Sequence, residues 1–146
     1  MLTKGRDEFF WANKDKVKVD DIEIKNGKLI PTADLLEILE EKYPDYELHF
    51  VMGSDLVYHY VNWEDGQKLK ERFNFIIVER QGYLDFPLEN LPDKRKMIDM
   101  AVKCEVSSTE LRRRIGKHIN QNHLGLQGLT TKGVIGIIKE HRLFMN

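Results

Sequence analysis

The run Val106-Ser107-Ser108-Thr109-Glu110-Leu111-Arg112 carries the strongest chemical signal in the chain. It follows an apolar stretch, Ala101 to Val106, that reads as a core strand. Ser107 or Ser108 then caps a helix that the spacing predicts to run to about His118. A helix N-terminus has unpaired N–H groups and a partial positive charge, which together favour an anion. Three hydroxyl residues in a row add donors at the same spot. Arg112 lies one turn beyond Ser108 on the same helical face. Helical side chains lean towards the N-terminus, so its guanidinium can reach back over the same anion. A guanidinium grips phosphate through two hydrogen bonds, which lysine cannot copy. The junction therefore suits a nucleotide phosphate. From these residues alone, the alternative is a hydroxyl-capped helix whose Arg112-Arg113-Arg114 run is a solvated face. A nucleic-acid reading of Arg112 to His118 is weaker, because the patch is short and no aromatic residues interleave to stack bases.

The elements that must position this junction follow from periodicity. Val17 to Ile24 alternates (Val17, Val19, Ile22, Ile24) and reads as a short strand with one wet face, followed by an Asn26-Gly27 turn. Pro31-Thr32 opens a helix with Asp34 and Glu37 near its positive end. Leu35, Leu36, Leu39 and Tyr43 form its apolar stripe, Lys42 lies in its last turn and Pro44 stops it. Leu48 to Met52 is a strand running into Gly53, and Phe75 to Val78 is unbroken apolar, as in a parallel sheet covered on both faces. Leu56 to Phe73 reads as largely helical and Tyr83 to Pro92 as a loop. A last helix follows Thr130 or Thr131, with Val134, Ile135, Ile137 and Ile138 inward. The first fifteen residues resist assignment, with Phe9, Phe10 and Trp11 as an apolar knot.

Strands alternating with helices imply an α/β fold with a mostly parallel sheet. Ligands of such sheets bind beyond the carboxyl ends of the strands. That rule points to Gly53-Ser54-Asp55, Arg80 and Ser107-Ser108 and expects them on one edge.

Bulk composition narrows the function classes. A length of 146 residues fits one domain with a real core, and 41% hydrophobic with 32% charged residues is ordinary for a globular protein. A formal net charge of −1 provides no global field to recruit nucleic acid or an anionic membrane. The single cysteine, Cys104, allows no intrachain disulfide and fits a reducing, cytoplasmic or nuclear compartment; in a core strand it reads as a small buried hydrophobe. Neither a secretory signal nor a stretch of the ~20 apolar residues needed for a membrane helix is present. His49, His59, His118, His123 and His141 have no convincing metal-ligand spacing, so no protein metal site is expected.

Taken in order, these pieces resemble the nicotinamide/nicotinate mononucleotide adenylyltransferases of the nucleotidyltransferase superfamily, from about Val17 to Phe144. Asp21-Ile22-Glu23 followed by Thr32 resembles the family's strand and nucleotide-contacting threonine. Phe50-Val51-Met52-Gly53-Ser54-Asp55, with Trp63 trailing, is similar to a strand ending in Gly-Ala-Asp. Ile77-Val78-Glu79-Arg80-Gln81-Gly82 resembles a strand ending in Arg-x-Gly, and Val106 to Arg112 resembles Ile-Ser-Ser-Thr-x-Ile-Arg. Val134-Ile135-Gly136-Ile137-Ile138 to Leu143-Phe144 is similar to the family's closing segment.

The resemblance implies a Rossmann-like nucleotidyltransferase fold. It also implies adenylyl transfer from ATP, with Mg²⁺, to nicotinamide or nicotinate mononucleotide, giving a dinucleotide and pyrophosphate. Ser107, Ser108, Thr109 and Arg112 would hold ATP phosphates. Gly53 would let the ribose approach the backbone, and Asp55 would accept from its hydroxyls. Trp63 would stack on the pyridine ring, Thr32 would bond near its amide or carboxylate, and Arg80 would steady either the phosphate or the mononucleotide. From the residues alone, Trp63 could equally be a core anchor, Asp55 a helix cap and Arg80 a surface residue at a strand end.

One family element has no counterpart. Nothing matches the opening strand, glycine-rich turn and His-x-Gly-His, the first histidine being His49. No catalytic residue is therefore assigned. Residues 1–146 read as a single domain forming the C-terminal portion of the family fold, with N-terminal strands missing and strand edges lacking partners. Three readings follow: part of an active enzyme, a nucleotide-binding relative of low activity, or an interaction module on the same scaffold. Self-association or a complementary N-terminal half is expected as a partner.

Overall fold

A computed structural model describes residues 1–83, 85–99, 107–118, 124–126 and 128–144. The chain divides into two compact units, Met1–Ile22 with Val106–Asn146, and Glu23–Glu105.

In the first unit, α1 (Leu2–Phe9) covers much of the segment that sequence patterning leaves unassigned. At the boundary lies α2 (Ile22–Asn26), where alternation predicts a strand. The correction has a local cause. The Asp20 carboxylate accepts the Ile22 N–H at 3.1 Å and starts a helical turn. Gly27, at φ 69°, then closes it by donating to the Glu23 and Ile24 carbonyls. The Asn26-Gly27 turn is thus the end of a helix. Ile24, placed inward by the strand reading, is 80% exposed.

Among the described residues, the second unit holds three parallel strands. Its first helix, α3 (Thr32–Lys42), begins and ends where Pro31 and Pro44 predict and buries Ala33 and Leu36. The strand β1 (His49–Gly53) follows. Two 3₁₀ turns, Ser54–Tyr58 and Tyr60–Asn62, then lead to α4 (Gly66–Arg72), so the segment expected to be largely helical is helical only in pieces. Next come β2 (Asn74–Val78) and β3 (Lys94–Ile98).

The sheet order is β1-β2-β3, in a register that aligns Gly53 with Val78 and Val78 with Ile98. The three strands therefore end level. Ala33, Leu36, Met52, Val57, Tyr60, Leu69, Phe73, Phe75, Ile77 and Leu91 form the core. The Tyr60 hydroxyl donates to the Asn90 carbonyl at 2.6 Å, and the Asn90 amide donates to the Val57 carbonyl, tying the 87–92 loop to the 54–62 segment. Burial, with Asp93 nearby, pushes the Tyr60 phenol up to about 12, so it is a permanent donor.

The first unit also contains α5 (Ser108–His118) and α6 (Lys132–Glu140), packed through Ile115, Leu126, Ile135 and Ile138. Thr131 caps α6, its hydroxyl accepting from the Val134 N–H at 3.3 Å. The strand expected at Ala101 to Val106, with Cys104, lies outside the described residues.

Candidate functional site

The α5 junction folds as its residue types demand. The Ser107 hydroxyl accepts the Glu110 N–H at 3.2 Å, making Ser107 the cap, while Ser108 begins the helix and stays exposed. Arg112 turns back one turn and donates to Ser108 Oγ at 3.3 Å. The three consecutive arginines divide their work. Arg113 and Arg114 both donate to the Glu110 carboxylate, at 2.7 and 2.6 Å, and these bonds hold the carboxyl down at about 2. Arg112 points elsewhere, towards the hydroxyl end of the helix. Its guanidinium lies 5.5 Å from the centroid of the Phe144 ring. Thr109 is exposed and makes no side-chain hydrogen bond among the described residues. Beside the junction is a cavity of about 690 Å³ whose walls include Arg6, Phe9, Ser108, Arg112 and Phe144.

In the second unit the level strand ends bring together residues that are far apart in sequence. Ser54, directly after β1, is fully buried, and its hydroxyl accepts the Arg80 N–H at 2.9 Å. Arg80 Nη1 donates to Asp55 Oδ2 at 2.7 Å. Gly53 has an ordinary extended backbone, φ −77° and ψ 155°, so it is not needed for a turn. Its value is space. A Cβ at Gly53 would collide with Asp55 Oδ1 and lie 2.8 Å from Arg80 Cδ. The room over Gly53 holds this charge pair. Sequence reasoning names Ser54 within the Gly53-Ser54-Asp55 strand end but gives it no role; the structure makes it the buried acceptor that fixes the Arg80 backbone.

Thr32 and Trp63 line a separate cavity of about 580 Å³, with Glu23, Pro31, Phe50 and Glu64 among its other walls. Trp63 is half-buried and stands edge-on to both Phe50 and Tyr60, with ring centroids 6.4 and 6.3 Å away. It is both an anchor on the core and a cavity wall, so the two readings of this residue are not exclusive. Behind it the chain turns sharply. Asp65 adopts φ 55°, and Gly66 packs against the Tyr60 and Val61 backbone so closely that a Cβ would lie 2.6 Å from the Tyr60 carbonyl oxygen. Thr32 opens α3 with no side-chain cap from Pro31 and lines the cavity wall, while the Leu35 N–H is already bonded to the Pro31 carbonyl. Arg80 does not line this cavity.

Among the described residues no three His, Cys, Asp or Glu side chains converge on a point that could hold a metal ion. No described helix is long and apolar enough to cross a membrane.

Three comparisons bear on this geometry. Residues 8–114 match the family described as cytidylyltransferase-like. A probable nicotinate-nucleotide adenylyltransferase of Bacillus licheniformis is 31% identical over 133 residues, covering 91% of this chain and 65% of that protein. Two solved structures of Plasmodium falciparum nicotinic acid mononucleotide adenylyltransferase superpose on 90% of the chain at 28% identity. One is complexed with APC, at TM-score 0.74, and the other with NaAD, at TM-score 0.75; the chain spans 66% and 65% of them. The chain thus covers just under two thirds of the length of these relatives. Their likeness gives the α/β architecture a Rossmann-like nucleotidyltransferase fold.

Proposed function

From the premise that this chain belongs to the cytidylyltransferase-like family, we propose that it serves adenylyl transfer from MgATP to nicotinate mononucleotide, yielding the deamido dinucleotide and pyrophosphate in NAD synthesis. The observation that carries this reading is the cavity bounded by Trp63 and the uncapped start of α3 at Thr32. An aromatic face suits a flat pyridine ring. A threonine hydroxyl at the positive start of a helix suits its carboxylate. Relatives named for the nicotinate substrate support the acid over the amide.

The residues then divide the labour. Trp63 and Thr32 hold the pyridine end, and Arg80 steadies the mononucleotide phosphate. Asp55 accepts from ribose hydroxyls of ATP beside Gly53. Ser107, Ser108, Thr109 and Arg112 hold ATP phosphates, with the accompanying Mg²⁺ held by phosphate oxygens. The 5′-phosphate oxygen attacks the α-phosphorus and the bond to pyrophosphate breaks. Such chemistry depends on positioning and charge neutralisation rather than on a covalent nucleophile. A reducing cytoplasmic or nuclear setting, and self-association or pairing with a complementary chain, belong to the same proposal.

The test is direct. Purified chain, sized by gel filtration, is incubated with MgATP and either nicotinate or nicotinamide mononucleotide, and dinucleotide is followed by chromatography. Turnover preferring the acid is expected. Thermal stabilisation by both nucleotides without turnover would reduce the chain to a binding relative, and no stabilisation by either would overturn the assignment.

A further inference from the structure

Asp55 and Arg80, given to different ligands by the proposed function, are bonded to each other. The arrangement is built into the sheet. Register sets Gly53 level with Val78, and two residues later the Arg80 backbone is pinned by its N–H bond to buried Ser54 Oγ. The absent Cβ of Gly53 then lets the Arg80 stem and the Asp55 carboxylate converge above the strand end. The resulting ion pair is short, 2.7 Å, yet its side chains are 40% and 24% exposed, so a ligand can reach both.

We propose that this pair couples the two substrates. A ribose diol donating to Asp55 takes the carboxylate away from Arg80 and frees the guanidinium for the anionic mononucleotide. An anion at Arg80 likewise frees Asp55 for the ribose. Either ligand alone must break the pair, whereas the two together break it once, so each raises affinity for the other by the same factor. The backbone bond to Ser54 keeps Arg80 at the strand end while its side chain swings. Partly exposed ion pairs are weak, which sets the coupling at about two- to fivefold.

The inference rests on the proposed function, and titration calorimetry on the full chain separates the two. The Kd of nicotinate mononucleotide is measured with and without saturating α,β-methylene-ATP in Mg²⁺. For the wild type, the analogue should tighten mononucleotide binding about two- to fivefold, and the mononucleotide should tighten the analogue equally. Asp55→Asn keeps an acceptor for the ribose but loses the charge. It should bind mononucleotide without the analogue about as tightly as the wild type does with it, with a coupling factor near one. Arg80→Lys, a second variant that keeps the charge, should retain part of the coupling. Both nucleotides binding independently, or coupling that persists in Asp55→Asn, would overturn the proposal alone; failure of either to bind would overturn the functional reading and this inference with it.

Discussion

Arg112 donates to Ser108 Oγ at 3.3 Å, so the guanidinium and the hydroxyl end of α5 are joined. Because Glu110 occupies Arg113 and Arg114, Arg112 is the member of the triplet left facing the helix start. Arg112→Lys should therefore lower kcat/KM for ATP by about 1–3 kcal/mol, through loss of the two-point grip on phosphate, and leave the melting temperature nearly unchanged. Steady-state kinetics at varied ATP check this. Unchanged ATP dependence would remove Arg112 from the site.

Trp63 has a structural and a binding role that substitution can separate. Trp63→Ala removes both edge-on contacts with Phe50 and Tyr60. For a half-buried ring this should cost about 2–3 kcal/mol of stability, below the range for a fully buried tryptophan. Trp63→Phe should recover most of that stability but restore mononucleotide affinity only in part, because the smaller ring offers less stacking surface. Melting curves beside mononucleotide KM values give the comparison. Equal KM values in all three proteins would show that the ring does not touch ligand.

Legibility in the sequence followed the range of the forces involved. The helices α3, α5 and α6 have their start signals in adjacent residues, and β1 and β2 are apolar runs, so local patterning finds them. The strand β3 does not announce itself, since Lys94, Arg95 and Lys96 are charged and exposed and only pairing with β2 makes it a strand. At Val17 to Ile24 the apolar alternation changes face between Val19 and Ile22, and a carboxylate cap at Asp20 starts a helical turn there instead. Gly53, Asp55 and Arg80 are legible as residues with chemistry. Their mutual bond is not, because it spans a crossover and depends on a register that no local pattern encodes.

The Glu110 carboxylate gives α5 a defined acid response. Its hydrogen bonds to Arg113 and then Arg114 lower its pKa from 4.5 to about 2. A depressed carboxylate stabilises the fold above its unfolded pKa and loses that contribution as pH falls through the folded value. The contribution is thus complete above about 4.5 and gone near 2. Glu110→Gln should melt lower than the wild type at neutral pH, and the gap should close across that window. A gap independent of pH would mean that packing, not charge, holds the helix start.

A second acid ties α1 to α6. The Glu8 carboxylate accepts the Gly133 N–H at 3.0 Å, at the positive end of a helix already capped by Thr131. That backbone bond, with a further one from the Thr131 hydroxyl, lowers the Glu8 pKa below its usual 4.5. Gly133 leaves room for the contact, since a Cβ there would strike Glu8 Oε1 and crowd the Lys4 stem at 2.7 Å. Glu8 Oε1 is the far end of a flexible side chain and the Lys4 stem can change rotamer, so Gly133→Ala should push Glu8 aside without disturbing α6 itself. Hydrogen exchange at neutral pH should then show faster exchange in α1 for both Gly133→Ala and Glu8→Gln, while the α6 interior around Ile138 keeps its protection. Lowering the pH through the depressed Glu8 pKa should bring wild-type α1 towards the behaviour of Glu8→Gln, because the protonated carboxyl has lost the charge that the helix end attracts. If α1 exchange is the same in all three proteins, α1 is held by its apolar contacts and not by this carboxylate.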